Sequence, residues 1–166
     1  MTSVTTNYFQ TRFQPRLFQP QLLNQERISM TFTLHPRLAA DSHWVGELSL
    51  CQVRLINDQR FPWLLLIPQR AHMTELHQLD SDDYIQLFTE IRQLAAPFQQ
   101  LTQADKLNIA TLGNMVPQLH LHLVARHPQD AAWPGPVWGH GQAEPYSDED
   151  LTAQINLIRR QLPGLS

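Results

Sequence analysis

The chain has a single cysteine, Cys51, in 166 residues. An internal disulfide is therefore impossible, and no Cys-Cys spacing offers a zinc site or a redox pair. That points to a reducing, intracellular compartment. Long apolar runs are missing too: none approaches the roughly 20 residues needed to cross a bilayer, and the longest candidate is Trp63 to Ile67. A soluble, cytoplasmic protein with no membrane partner is the expectation. Basic charge is also sparse, with 12 Lys and Arg against 15 Asp and Glu, a formal charge of −3 and a pI near 6.2. Sequence-blind nucleic-acid binding relies on clustered Lys and Arg, so DNA and RNA are poor default partners, although a single nucleotide is not. Acidic residues are absent before Glu26.

What is present divides in two. Residues 1–29 are rich in Gln, Thr, Phe and Pro and hold neither helical nor strand periodicity. They read as an N-terminal extension, poorly ordered or accessory. Alternatives stay open: Met30 as the true start, a targeting peptide carrying Arg12 and Arg16, or a docked arm using Phe9, Phe13, Leu17 and Phe18. Residues 30–166 are long enough for one domain with its own core, given 42% hydrophobic residues overall.

In that domain His35-Pro36 opens a short turn or helix through Ala40, and strands are expected at 44–48, 49–56 and 63–67, with Asn57-Asp58 as a turn. Short connections make these an antiparallel meander, because parallel neighbours need crossovers of a dozen residues or more. A Rossmann core is excluded. Asp80 to Asp83 supply a cap and first-turn acids for a helix with Tyr84, Leu87, Phe88, Ile91, Leu94 and Ala95 on one face, which Pro97 is expected to end or kink. Strands at 106–111 and 118–126 follow, then an irregular Trp133 to Gly141 stretch whose tryptophans call for burial. A last helix is capped by Ser147 to Asp150. The fold class is α+β, a five-stranded antiparallel sheet with two main helices.

The informative stretch is Gln118 to Arg126, Q-L-H-L-H-L-V-A-R. Leu119, Leu121 and Leu123 alternate with Gln118, His120 and His122, the period of a half-buried strand with one polar face. Same-face neighbours lie roughly 6.5–7 Å apart, so a small anion can span the row. Three readings compete. The imidazoles are structural; or they bind zinc or iron, which calls for a third ligand that the following residues do not offer; or one is a nucleophile toward phosphorus. The last needs a neutral ring in one tautomer and donors for the phosphate oxygens. His122, Gln118 and the Gly113-Asn114 turn are candidate donors.

The segment Leu107 to Arg126 resembles the signature region of the histidine triad family, H-φ-H-φ-H-φ-φ with a polar turn upstream. The resemblance runs from about Met30 to Arg126 and includes the strand Leu64-Leu-Leu-Ile-Pro68. It places the family's nucleophile on His120 and its third histidine on His122. It places Gln118 where the first histidine usually stands, and Trp63 where a histidine often precedes the Ile-Pro strand. Asn108, Gly113 and Asn114 fall on positions that usually touch ribose and phosphate, and Asn57 lies near the turn that usually grips ribose hydroxyls. Implied is a homodimer with continuous sheets that hydrolyses or transfers at a nucleotide α-phosphate through a covalent nucleotidyl-histidine and needs no cofactor. Expected substrates are phosphoramidates, adenylates or dinucleoside polyphosphates. Gln118 cannot shuttle a proton, so a catalytically weak nucleotide-binding module is the first alternative and a metal-dependent H-x-H enzyme the second. His140 and Trp138 are accessory candidates, one as a third imidazole and the other, like Trp133, as a base-stacking ring. His72 and His77 read as loop residues, His35 and His43 as turn residues, and Cys51 as core.

Overall fold

The computed structural model describes residues 31–166, and the extension expected at 1–29 lies outside them. Helix α1 (Pro36–Asp41) is set by proline at its first position and by His35, whose Nδ1 accepts the Arg37 N–H at 3.1 Å. Strands β1 (Ser42–Glu47), β2 (Cys51–Ile56) and β3 (Trp63–Pro68) form the meander. Helix α2 (Ser81–Thr102), strands β4 (Lys106–Ala110) and β5 (Leu121–Arg126), and helix α3 (Asp148–Gln161) complete the domain. The five-stranded sheet is antiparallel throughout, as the sequence reading anticipated, and its strand order is β1-β2-β3-β5-β4.

Both long helices start where side chains satisfy orphan N–H groups. Asp80 accepts the Asp83 N–H at 2.8 Å and Ser147 the Asp150 N–H at 3.1 Å. Pro97 does not end α2, which continues to Thr102. Phe98, only 1% exposed, holds the next turn in the core, and that packing outweighs the one intrahelical hydrogen bond that proline removes. His43 is likewise no turn residue; it lies in β1 opposite Leu55.

Two apolar clusters cover the two faces of the sheet. On one face Leu64, Leu66, Leu121 and Leu123 pack with Leu87, Ile91 and Leu94 of α2 and Ile158 of α3. On the other, Trp63, Leu65, Ile67 and Val124 pack with Leu38 of α1 and with Val116, Ala132 and Val137 from loops. β5 is thus buried along its whole length on both faces, not half-buried as its alternation implied. The histidine face is roofed instead of open. Cys51 is a buried free thiol beside Glu90, whose carboxylate accepts the Leu50 and Cys51 N–H groups at 2.6 and 3.0 Å. Among the described residues no helix is long and apolar enough to cross a membrane.

Candidate active site

β5 lies between β3 and β4, so His122 is opposite Leu65 on one side and Ala110 on the other. Its side chain falls on the face roofed by α1 and the Trp133–Gly141 loop. His120 stands just before the strand on the same face. The two rings meet edge-on with centroids 4.9 Å apart, and both residues are buried, at 4% and 6% exposure.

Their tautomers follow from their partners. Nδ1 of His120 lies 2.6 Å from the Gln118 carbonyl oxygen. A carbonyl only accepts, so Nδ1 carries the proton and Nε2 the lone pair. His122 is the reverse: its Nδ1 accepts the indole N–H of Trp63 at 2.9 Å, which puts its proton on Nε2. That Nε2 is buried and makes no hydrogen bond of good geometry among the described residues, although the Leu112 carbonyl attracts its proton. Burial lowers the pKa of His120, partly offset by the Gln118 carbonyl. His122 falls to about 4 through burial and then the neighbouring His120, against an opposing pull from the Leu112 carbonyl. Both rings are neutral at pH 7.

They line a cavity of about 740 Å³. Of the residues expected at a site, the structure brings His120, His122, Asn57, Asn114, Trp138 and His140 to it. Trp138 packs edge-on against His122 at 5.2 Å and Trp63 at 5.7 Å. His140 does not join the histidine pair as a third imidazole neighbour; its ring packs on Phe61 at 6.4 Å, and its carbonyl accepts from Arg60. Asn57 has its Oδ1 engaged by the Tyr146 N–H at 3.0 Å, which leaves its amide NH₂ for a ligand. Beside it, burial alone would raise the Asp58 pKa. Arg60, clamped on both carboxylate oxygens, and the backbone N–H groups of Glu144 and Arg60 hold it below the usual range.

Other expected residues are placed elsewhere. The Gln118 side chain is not among those lining the cavity; its amide donates to the Thr33 carbonyl and accepts the His35 N–H, both at 2.9 Å. Gln118 therefore meets the histidine pair through its backbone. Asn108 on β4 is also outside the cavity and accepts from Arg126 Nη1 at 2.8 Å. Gly113 sits in the loop beside the site, where a Cβ would come within 3.1 Å of the Val116 carbonyl. Trp133 remains 41% exposed over the Arg126 guanidinium instead of being buried. His77 lies in a short 3-10 turn, Leu76–Gln78.

Two residues noted in the sequence have roles that it did not reveal. Trp63 stood out only as a departure from a motif. Arg126 is 2% exposed and ties the roof down, gripping both carboxylate oxygens of Asp130 and the Gly135 carbonyl. Among the described residues no group of three or more His, Cys, Asp or Glu side chains is placed to hold a metal ion.

A family model described as the HIT domain matches residues 37–129, more than half of the chain. The chain belongs to the HIT, or histidine triad, family. The solved structures agree. A histidine triad protein from Bradyrhizobium japonicum is 43% identical with a TM-score of 0.78, over 80% of this chain and 99% of that one. One from Sinorhizobium meliloti 1021 is 46% identical with a TM-score of 0.77, over 79% and 97%. A third, from Marinobacter aquaeolei VT8, is 42% identical with a TM-score of 0.80, over 82% and 100%. A comparison with curated proteins finds no match. The HIT match runs from the second residue of α1 through β5 and ends at residue 129, just short of Asp130 and before the Trp133–Gly141 loop.

Proposed function

We propose that this HIT protein is a nucleotide hydrolase or nucleotidyl transferase acting at an α-phosphate, with a phosphoramidate, adenylate or dinucleoside polyphosphate as substrate. The carrying observation is the His120 ring: Nδ1–H is spent on the Gln118 carbonyl, leaving a neutral ring with its lone pair on Nε2. Nε2 attacks the α-phosphorus, the N–P bond forms, and the bond to the leaving group breaks with its electron pair going to that group, which takes a proton from solvent. Water then attacks the phosphorus, the N–P bond breaks, and the nucleoside monophosphate leaves with neutral His120 restored. In a transferase reaction another nucleophile replaces that water. His122 supplies an Nε2–H to a non-bridging phosphate oxygen, Asn57 and Asn114 hold the nucleoside side of the ligand, and the close Gly113 turn keeps Asn114 at the rim. The proton-shuttling role of a first histidine has no counterpart in the Gln118 side chain, which favours leaving groups stable as anions.

We further infer a cytoplasmic homodimer joined along β4. Ser166 pairs with Glu47 on the β1 side, whereas β4 ends the sheet with Ile109 46% exposed. Sedimentation analysis checks the dimer, and cell fractionation the location.

The test of the reaction is intact mass after brief incubation with an adenylated substrate. A nucleotidyl adduct is expected, absent in His120→Ala. Absence of any adduct together with undiminished activity in His120→Ala overturns the mechanism. Binding of a nucleoside monophosphate without cleavage of any substrate class favours a binding module.

A further inference from the structure

We propose that Trp63 is a positioning residue of this site: its indole N–H, donated to Nδ1 of His122, locks that imidazole as a neutral Nε2–H donor and reserves the nucleophile's role for His120. The inference rests on the proposed reaction for its kinetic consequences, but its structural content stands apart from it.

An isolated imidazole exchanges freely between two neutral tautomers and a cation, and only its partners choose among them. Here the two histidines have opposite partners. A carbonyl acceptor holds His120 as Nδ1–H, and an indole donor holds His122 as Nε2–H. Indole N–H is a donor only, so this bond cannot invert. A ring accepting at Nδ1 must give up that bond to become protonated there. Trp63 is itself fixed, 8% exposed in the central strand β3 and edge-on to Trp138, so the donor does not swing away.

The consequence is a division of labour between rings 4.9 Å apart. Two imidazoles that close, both offering lone pairs to the cavity, would compete for one proton and for one phosphorus. With His122 locked, only His120 presents a lone pair, and the buried Nε2–H of His122, attracted by the Leu112 carbonyl but without a hydrogen bond of good geometry among the described residues, can turn to an oxyanion in the cavity. The titratable and charged groups facing this pair across the cavity are Arg37 and Asp41 on α1, Asp58 and Arg60 in the β2–β3 turn, and His140 in the roof loop. Arg37 pairs with Asp41 and Arg60 with Asp58, so neither carboxylate is free to draw a proton onto His122.

The experiment is ¹⁵N NMR of the histidine side chains in the full-length protein, native and Trp63→Phe, followed by pH–rate profiles. In the native protein His122 is expected as the Nε2–H tautomer, neutral throughout the range from pH 7 to 5.5. In Trp63→Phe the competing donor is gone, so His122 should titrate at higher pH and sample both tautomers. The acid limb of kcat should then move up in pH, and kcat should drop about tenfold with KM nearly unchanged, the worth of one hydrogen bond to the reacting assembly. Trp63→His, which returns a ring N–H, should recover part of kcat. A native His122 that is the Nδ1–H tautomer or protonated at pH 7 overturns the lock, and so does a Trp63→Phe spectrum identical to the native one. If no nucleotide adduct forms while the native spectrum is as expected, the reaction fails and the lock stands.

Discussion

On the helical face of the sheet, Leu64, Leu66, Leu121 and Leu123 meet Leu87, Ile91 and Leu94 in a cluster of apolar side chains. On the opposite face His120, His122 and Arg126 are buried just as deeply. Apolar contacts are non-directional, so the helical face needs only volume and shape. A buried polar group on the other face needs a named partner, and three side chains have one: Gln118 for His120, Trp63 for His122, Asp130 with Asn108 and Gly135 for Arg126. Buried nitrogens without a hydrogen bond there among the described residues, Nε2 of His122 and Nε1 of Trp138, belong to side chains that line the cavity. The difference teaches where to look for function: at the unmatched remainder of an otherwise matched polar face.

Mutations that separate the two faces sharpen the comparison. The largest effect is expected from His120→Ala, which should lower turnover by ~10³ or more while leaving the urea midpoint nearly unchanged. Asp130→Ala should do the converse damage, stranding the buried Arg126 guanidinium at a cost of ~3–5 kcal/mol in urea unfolding and loosening the roof over the site. Leu94→Ala on the helical face should cost ~2–5 kcal/mol, yet below its unfolding transition the adduct should form at the native rate. If Leu94→Ala slowed the chemistry as much as Asp130→Ala, the faces would not be separable.

The smallest effect is a pH dependence, and its sign is fixed by burial. Because the folded pKa of His120 is lowered, the acid limb of kcat/KM should lie below 6.5, the ordinary histidine value that the sequence suggested. For His122 the folded pKa of about 4 lies below the unfolded value. Below about 6.5 the unfolded chain binds a proton that the folded chain refuses, so its stabilising contribution is complete above about pH 6.5 and is lost as pH falls toward 4. Thermal unfolding across that range should record the decline. Asp130 adds to it at lower pH: burial would raise its pKa, but Arg126 and the backbone N–H groups of His127 and Ala132 lower it on balance.

Much of this was legible in the residues. The meander could be read from short runs and turn residues, both long helices from their caps, and the family resemblance from the spacing around His120. Pro97 misled because helix propensity is local, whereas the hold of Phe98 on the core is not. The burial of β5 on both faces was hidden because alternation reports polarity, not what covers a face. Asn108 and Gln118 occupy motif positions in the sequence, yet both side chains turn to partners that only strand pairing and chain return bring near.

What the sequence by itself determined is the local part: strand period, helix caps, and which residue types stand in a row on β5. Only the tertiary structure decided which nitrogen of each histidine carries its proton. For His122 the choice depends on Trp63, 59 residues away, and for His120 on a Gln118 carbonyl in a segment whose side-chain amide is tied to His35, 83 residues from Gln118. A hydrogen bond acts over about 3 Å, and only folding brings such distant residues within that reach.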